Sequence, residues 1–189
     1  MNFEDDLKNS LSVLIKGGVI LYPTDTLWGL GCDATNQEAI NKIFNIKSKK
    51  ESKGLIVLVN GVAMLERYVR IVPGIAYELI SVSDSPLTIV YPEGKNLAPG
   101  VCNDDRSAAI RICKEEYCSE LIKRFRKPIV STSANKSGMP FPALYSEISE
   151  VIIRSVDYVV KYRQDDHRKF SPSPIIKVTK EGVVKIIRM

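Results

Sequence analysis

Residues 19–34 read Val-Ile-Leu-Tyr-Pro-Thr-Asp-Thr-Leu-Trp-Gly-Leu-Gly-Cys-Asp-Ala. The apolar run over 19–23 predicts a short buried strand closed by Pro23. Beyond Pro23 the chain turns small, polar and glycine-rich at a strand end, where hydroxyls and backbone N–H groups can surround an anion. Gly29-Leu30-Gly31 invites a dinucleotide reading, but the third glycine position is Ala34, and a tight turn is the better reading.

Working outward, residues 4–16 predict a helix ended by Gly17 and Gly18, and 36–47 a second helix capped by Asn36. Strands are predicted at 55–59, 86–92, 107–112, 128–134 and 157–162, and helices at 61–70, from Pro73 through Ile80, at 115–126 and at 142–154. Two closing strands, 174–178 and 183–188, are joined by Lys180-Glu181-Gly182 as an antiparallel hairpin. The alternating pattern, with no repeat and no long linker, predicts one α/β domain over 1–189 with a twisted mixed sheet.

Composition bounds the function. The chain has 189 residues, 44% hydrophobic and 26% charged, as in an ordinary globule. Lys and Arg outnumber Asp and Glu by 27 to 22, which favours anionic partners such as nucleotides, phosphates or RNA. No apolar run reaches the length of a membrane span. The acidic start, residues 1–10, is unlike a secretory signal, and the cytoplasm is the expected compartment. Cys32, Cys102, Cys113 and Cys118 form no CxxC, and His167 is the sole histidine, so neither a disulfide framework nor a zinc site is predicted. No GxxxxGK[ST] loop exists, so any ATP site is built another way.

Three segments share small polar composition at strand ends: 22–31, 131–138 and 170–174. Ordinary turn chemistry uses the same residues. Basic residues sharpen the pattern. Lys47, Lys49, Lys50 and Lys53 come after the second helix, where cations are also stabilising in their own right. Arg111 sits between Ile110 and Ile112 in a strand, where a charge is costly unless it is paired or faces a wet cleft. Arg106 is a weaker companion.

Together these segments resemble the YrdC/Sua5 family, short-form threonylcarbamoyl-adenylate synthases. Pro23 to Gly31 is similar to its PT[DE]TxYGLG signature, and Lys47-Ser48-Lys49 to its KxR motif. Pro86-Leu87-Thr88, Ala109-Ile110-Arg111-Ile112, Ser131 to Gly138 and Pro172 to Ile176 resemble its later motifs, in order. Five departures stand out: Lys49 for Arg, Trp28 for Tyr, Cys113 for Pro, Pro174 for Thr, and Lys50 to Leu55 in place of the usual xxxNPL run.

The resemblance implies a YrdC-like twisted open mixed sheet with flanking helices and no additional C-terminal domain. It implies an enzyme that joins L-threonine, bicarbonate and ATP into threonylcarbamoyl-AMP and pyrophosphate. The product serves N6-threonylcarbamoylation of adenosine 37 in tRNA, with a partner transferase and tRNA as the implied macromolecules. Catalytic roles fall on Lys47, Lys49 and Arg111. ATP contacts fall on Thr24, Thr26, Lys47, Lys49, Thr132, Ser133, Asn135 and Ser173. Magnesium is expected to arrive on the triphosphate, held by phosphate and water oxygens. A non-catalytic RNA- or nucleotide-binding module and carbamoyl chemistry on another acceptor are the competing readings.

Overall fold

The computed structural model describes residues 2–48 and 54–189. Its element order is α1 (Phe3–Ile15), β1 (Ile20–Tyr22), β2 (Gly29–Gly31), α2 (Gln37–Lys47), β3 (Ile56–Val59), α3 (Val62–Tyr68), α4 (Gly74–Val82), β4 (Thr88–Tyr91), β5 (Ala108–Ile112), α5 (Glu116–Phe125), β6 (Ile129–Ser133), α6 (Glu150–Arg154), β7 (Tyr158–Val159), β8 (Ile175–Val178) and β9 (Val184–Arg188). The sheet runs β7-β1-β2-β6-β3-β5-β4-β8-β9. It is mixed: β1 with β7, β3 with β5 and β4 with β8 are parallel, and the remaining neighbours are antiparallel. Because β7 and β9 are edges, the sheet is open. This is the expected fold class.

Local chemistry sets the element ends. In α2 the Asn36 side chain accepts from the N–H groups of Glu38 and Ala39, and Ser48 closes the helix in the left-handed region at φ 52°. Ala39, Ile40 and Ile43 form its buried stripe. The β8–β9 hairpin turns at Gly182, whose φ is +86°.

Three expectations are corrected. Gly29-Leu30-Gly31 is a strand between β1 and β6, not a tight turn. A Cβ on Gly31 would lie 2.5 Å from Tyr22 Cε1, so glycine lets the buried Tyr22 ring lie against the backbone of the adjacent strand. The stretch 142–154 is not one helix. The Glu147 carboxylate accepts from the Ala143 and Leu144 N–H groups, closing a single 3₁₀ turn, and Ile148 and Ser149 are extended before α6 begins. Ile148 and Ile152 are buried nonetheless, so the apolar spacing was real while the backbone between them was not helical. Strand 157–162 shrinks to β7, because the buried carboxylate of Asp6 takes the N–H groups of Lys161 and Tyr162 and the Tyr158 hydroxyl. Asp157 in turn accepts from Val19 N–H at 2.7 Å.

Along β4 and β5 the two-residue alternation separates two sides of the sheet. Val90, Ala109 and Arg111 line a cavity on one side. Ile89, Tyr91, Ile110 and Ile112 line another on the reverse. Helix α3 packs against β3 and β5, α5 packs against β3, and α1 lies along α5. Ser10 and Tyr117 share a 2.8 Å hydrogen bond across that last contact.

Candidate active site

The front cavity measures about 780 Å³ and collects residues from distant parts of the chain. Thr26 to Gly29 come from the β1–β2 connection and β2, Ser131, Thr132 and Ser133 from β6, and Pro172 and Ser173 from the segment before β8. These are the three polar segments of the sequence, brought together because β2 pairs with β6 and β8 with β4.

Two clusters of predicted residues form. In the first, Arg111 is 3% exposed and its Nη2 lies 2.9 Å from Asp25 Oδ1. Its Nη1 donates to Ser173 Oγ at 3.2 Å, and Nη2 reaches Thr24 Oγ1 at 3.5 Å. Thr24 is fixed in turn: its hydroxyl donates to Leu27 O at 2.8 Å and accepts from Thr26 N at 3.0 Å. Ser173 Oγ also shares a 2.7 Å hydrogen bond with Thr88 Oγ1. Pro174, which has no N–H to give, still joins the ladder through its carbonyl, which accepts from Thr88 N–H at 3.0 Å.

The Arg111–Asp25 contact is close but off the hydrogen-bond direction at Oδ1, so charge rather than alignment holds it. Burial raises the Asp25 carboxyl above its ordinary range, against the pull of Arg111. Arg111 Nε is buried with no hydrogen-bond acceptor among the described residues. A buried donor left in that state costs about 1–3 kcal/mol, and an oxygen of a bound ligand would satisfy it.

The second cluster forms around Lys47. This side chain is 5% exposed, and its Nζ donates to Ser133 O at 2.7 Å, Asn135 Oδ1 at 3.0 Å and Ser133 Oγ at 3.4 Å. Ser137 N–H donates to Lys47 O at 3.0 Å, so the end of α2 is tied to the 131–138 loop through both its backbone and its side chain. The Asn135 amide also donates to Met139 O. Ser133 and Thr132 line the cavity, whereas Lys47 and Asn135 stand behind Ser133, and Thr24 behind Thr26. Lys49 lies outside the described residues. Arg106 is a correction: it pairs with Glu93 at 3.3 Å on the exposed surface and does not line the cavity.

Sequence reading missed two cations of the cavity. Arg188 of β9 donates through Nε and Nη2 to Ser173 O at 3.2 and 2.7 Å. Burial, with the nearby charge of Arg111, lowers its pKa below the ordinary value. Lys177 of β8 pairs with Asp105 at 2.7 Å, and both line the cavity. The signal was present in both cases, a charge inside an apolar strand, the same signal that exposed Arg111. Among the described residues no three His, Cys, Asp or Glu side chains come together as a metal cage, and no helix is long and apolar enough to cross a membrane.

The geometry agrees with comparisons to known proteins. A family model for the Sua5, YciO and YrdC proteins, described as telomere recombination, matches residues 12–189. The chain is 31% identical over 157 residues to the threonylcarbamoyl-AMP synthase of Stenotrophomonas maltophilia, covering 82% of this chain and 84% of that one. It superposes on E. coli YciO with a TM-score of 0.83 at 20% identity, covering 99% of this chain and 89% of that one. It superposes on P. abyssi Sua5 complexed with L-threonine with a TM-score of 0.81 at 23% identity, covering 91% of this chain. The chain spans half the length of that Sua5, and both superpositions speak for the fold alone. Motif order, sheet architecture and family match converge: this chain belongs to the Sua5/YciO/YrdC family.

Proposed function

We propose that the front cavity converts L-threonine, bicarbonate and ATP into L-threonylcarbamoyl-adenylate and pyrophosphate. The observation that carries this is the convergence of three separated polar segments and the cations Arg111, Arg188 and Lys177 on one cavity, in a chain whose relative performs the synthesis its name states. The enzyme is a nucleotidyltransferase of the threonylcarbamoyl-AMP synthase type, and residues 1–189 act as one YrdC-like domain.

In the reaction, the threonine amine and bicarbonate condense to a carbamate with loss of water. A carbamate oxygen then bonds to the α-phosphorus of ATP as the bond to the β-phosphate oxygen breaks, and pyrophosphate departs. Two anions must approach, and charge builds on the leaving phosphates, so preorganised cations serve both steps. Arg111, held by Asp25, Thr24 and Ser173, offers its unsatisfied Nε–H to a substrate oxygen. We assign Thr26, Thr132, Ser133 and Ser173 to the nucleotide, Lys47 and Asn135 to the shape and charge of the wall behind Ser133, and Lys49 to the triphosphate. Magnesium enters as the counter-ion of ATP. The product goes to a transferase acting on adenosine 37 of tRNA, and we place the reaction in the cytoplasm.

Pyrophosphate release that requires both threonine and bicarbonate tests the reaction, with mass-spectrometric detection of the adenylate. ATP turnover indifferent to threonine would overturn it. For Lys49, the assignment expects Lys49→Ala to cut kcat/KM and Lys49→Arg to preserve it. Parent activity in Lys49→Ala would remove Lys49 from the site.

A further inference from the structure

Behind the sheet lies a second cavity of about 430 Å³. The side chains that β4 and β5 send away from the front form its floor: Ile89, Tyr91, Ile110 and Ile112. Leu87 and Phe170 contribute further apolar wall. Its volume is that of an ordinary small-molecule site, and its lining is mainly apolar with a few charged groups.

Of its six charged residues, Asp84, Lys114 and Arg168 are exposed, and the three shielded ones are two carboxylates and one guanidinium. The carboxylates of Asp25 and Glu115 both line the cavity, with side chains 11% and 10% exposed. Each is met by one guanidinium, and Glu115 also accepts from Cys118 N–H at 2.7 Å. Asp25 meets Arg111 at 2.9 Å. Glu115 meets Arg163 at 3.4 Å, but Arg163 also serves Asp166 at 3.1 Å and the Thr24 carbonyl at 3.2 Å. The other cations nearby are engaged as well: Lys114 Nζ donates to Ser83 O, and Arg168 pairs with Asp166. Burial holds both carboxyls above their ordinary range. Two carboxylates on a low-dielectric wall are stabilised by an added cation and destabilised by an added anion. An ammonium group, with three N–H donors and no acceptor, fits both oxygens and charge.

We propose that this rear cavity is a second ligand site, taking a small primary amine with an apolar or aromatic body, and that its occupancy is felt by Arg111 through the carboxylate of Asp25. Asp25 is the shared element. It lines the rear cavity, while the guanidinium it holds lines the front one. An ammonium that draws on this carboxylate weakens its hold on Arg111, and the coupling runs equally in the other direction.

The test is an NMR titration of the labelled protein with 2-phenylethylamine, 2-phenylethanol and 3-phenylpropionate, each to about 10 mM. The amine is expected to bind saturably with a Kd on the order of 1 mM or tighter. Amide resonances of Ile110, Ile112 and Lys114 should move, and the Arg111 Nε–Hε resonance should move with them. Glu115→Gln, which keeps the oxygen that caps α5, should weaken the amine about tenfold and leave the alcohol unchanged. Leu87→Trp should abolish amine binding while the rest of the spectrum is retained. The site is overturned by an absence of saturable amine binding, or by the carboxylate binding as well as the amine. The coupling is overturned if the rear cavity saturates while the Arg111 resonance stays still. None of these readouts uses turnover, so they stand or fall apart from the proposed synthesis.

Discussion

Lys47 and Arg111 are both almost fully buried cations of the same region, yet they are held in opposite ways. The oxygens around Lys47 Nζ from Ser133 and Asn135 are neutral and come from one loop. Arg111 is gripped by a carboxylate and two hydroxyls from chain segments 86 and 62 residues away. The first arrangement ties the end of α2 to one loop 86 and 88 residues further on, and the oxygens it gathers there are dipoles. The second depends on the whole sheet being assembled, and it aims a planar group whose Nε still lacks an acceptor among the described residues. One cation fixes a loop, and the other is positioned for a ligand.

The largest expected effect breaks the charged partnership. Arg111→Met leaves Asp25 buried without its cation, and urea unfolding should show a loss of about 3–5 kcal/mol. Asp25→Asn in the same chain should recover part of that loss, and equal destabilisation in single and double variants would show the pair to be incidental. Arg111→Met should also lower kcat/KM for pyrophosphate release roughly 10- to 200-fold. Lys47→Met strands the Ser133 and Asn135 oxygens, and the same unfolding experiment should register about 1–3 kcal/mol. Lys47→Arg should not rescue it, since the surrounding oxygens are arranged for a compact ammonium rather than a fork. A loss as large as that of Arg111→Met would erase the contrast.

Gly31→Ala lies between the two clusters, on β2. Its new methyl meets Tyr22 and Ile129, and thermal unfolding should report about 1–3 kcal/mol from overpacking. The smallest effect belongs to the rim. Hydrogen bonds from Lys177 and Ser107 lower the Asp105 carboxyl to about 2. A lowered acid adds stability above its unfolded value and loses it as pH falls from about 4 toward 2. Asp105 is 55% exposed, so Asp105→Asn should cost less than about 1 kcal/mol at pH 7 and flatten stability over that acid window.

What could be read from residues alone tracked the range of the interactions. Helix α2 was legible in its ends and in Ile40 and Ile43 of its stripe, because Asn36, those residues and the stop after Lys47 act within a few positions of one another, while Ala39 rather than Phe44 completes the buried face. Arg111 was legible because a charge between two isoleucines conflicts with its surroundings and asks for a reason. Arg188 and Lys177 carried the same conflict in the closing hairpin, but there alternation toward solvent is the ordinary reading. Only the placement of β8 beside β4 turns them toward the cavity. The Gly-Leu-Gly strand was hidden for a related reason. Its glycines are set by a tyrosine ring from the neighbouring strand, and nothing in the local sequence announces that contact. The shortened β7 likewise depends on Asp6, more than a hundred and fifty residues earlier.

That carboxylate has a consequence in time. On the ribosome α1 emerges first, but the backbone groups that satisfy Asp6 belong to Lys161 and Tyr162. Strand β1 likewise waits for β7, its parallel neighbour at the sheet edge. At typical elongation rates the interval from Tyr22 to Tyr158 lasts roughly 7–27 s. Through that interval the amino-terminal segment has no way to bury Asp6 without stranding a charge. The order of synthesis and the order of completion are therefore reversed for this end of the molecule. A nascent chain stalled before Tyr158 should leave the amides of α1 open to hydrogen exchange, and release past Tyr162 should close them together.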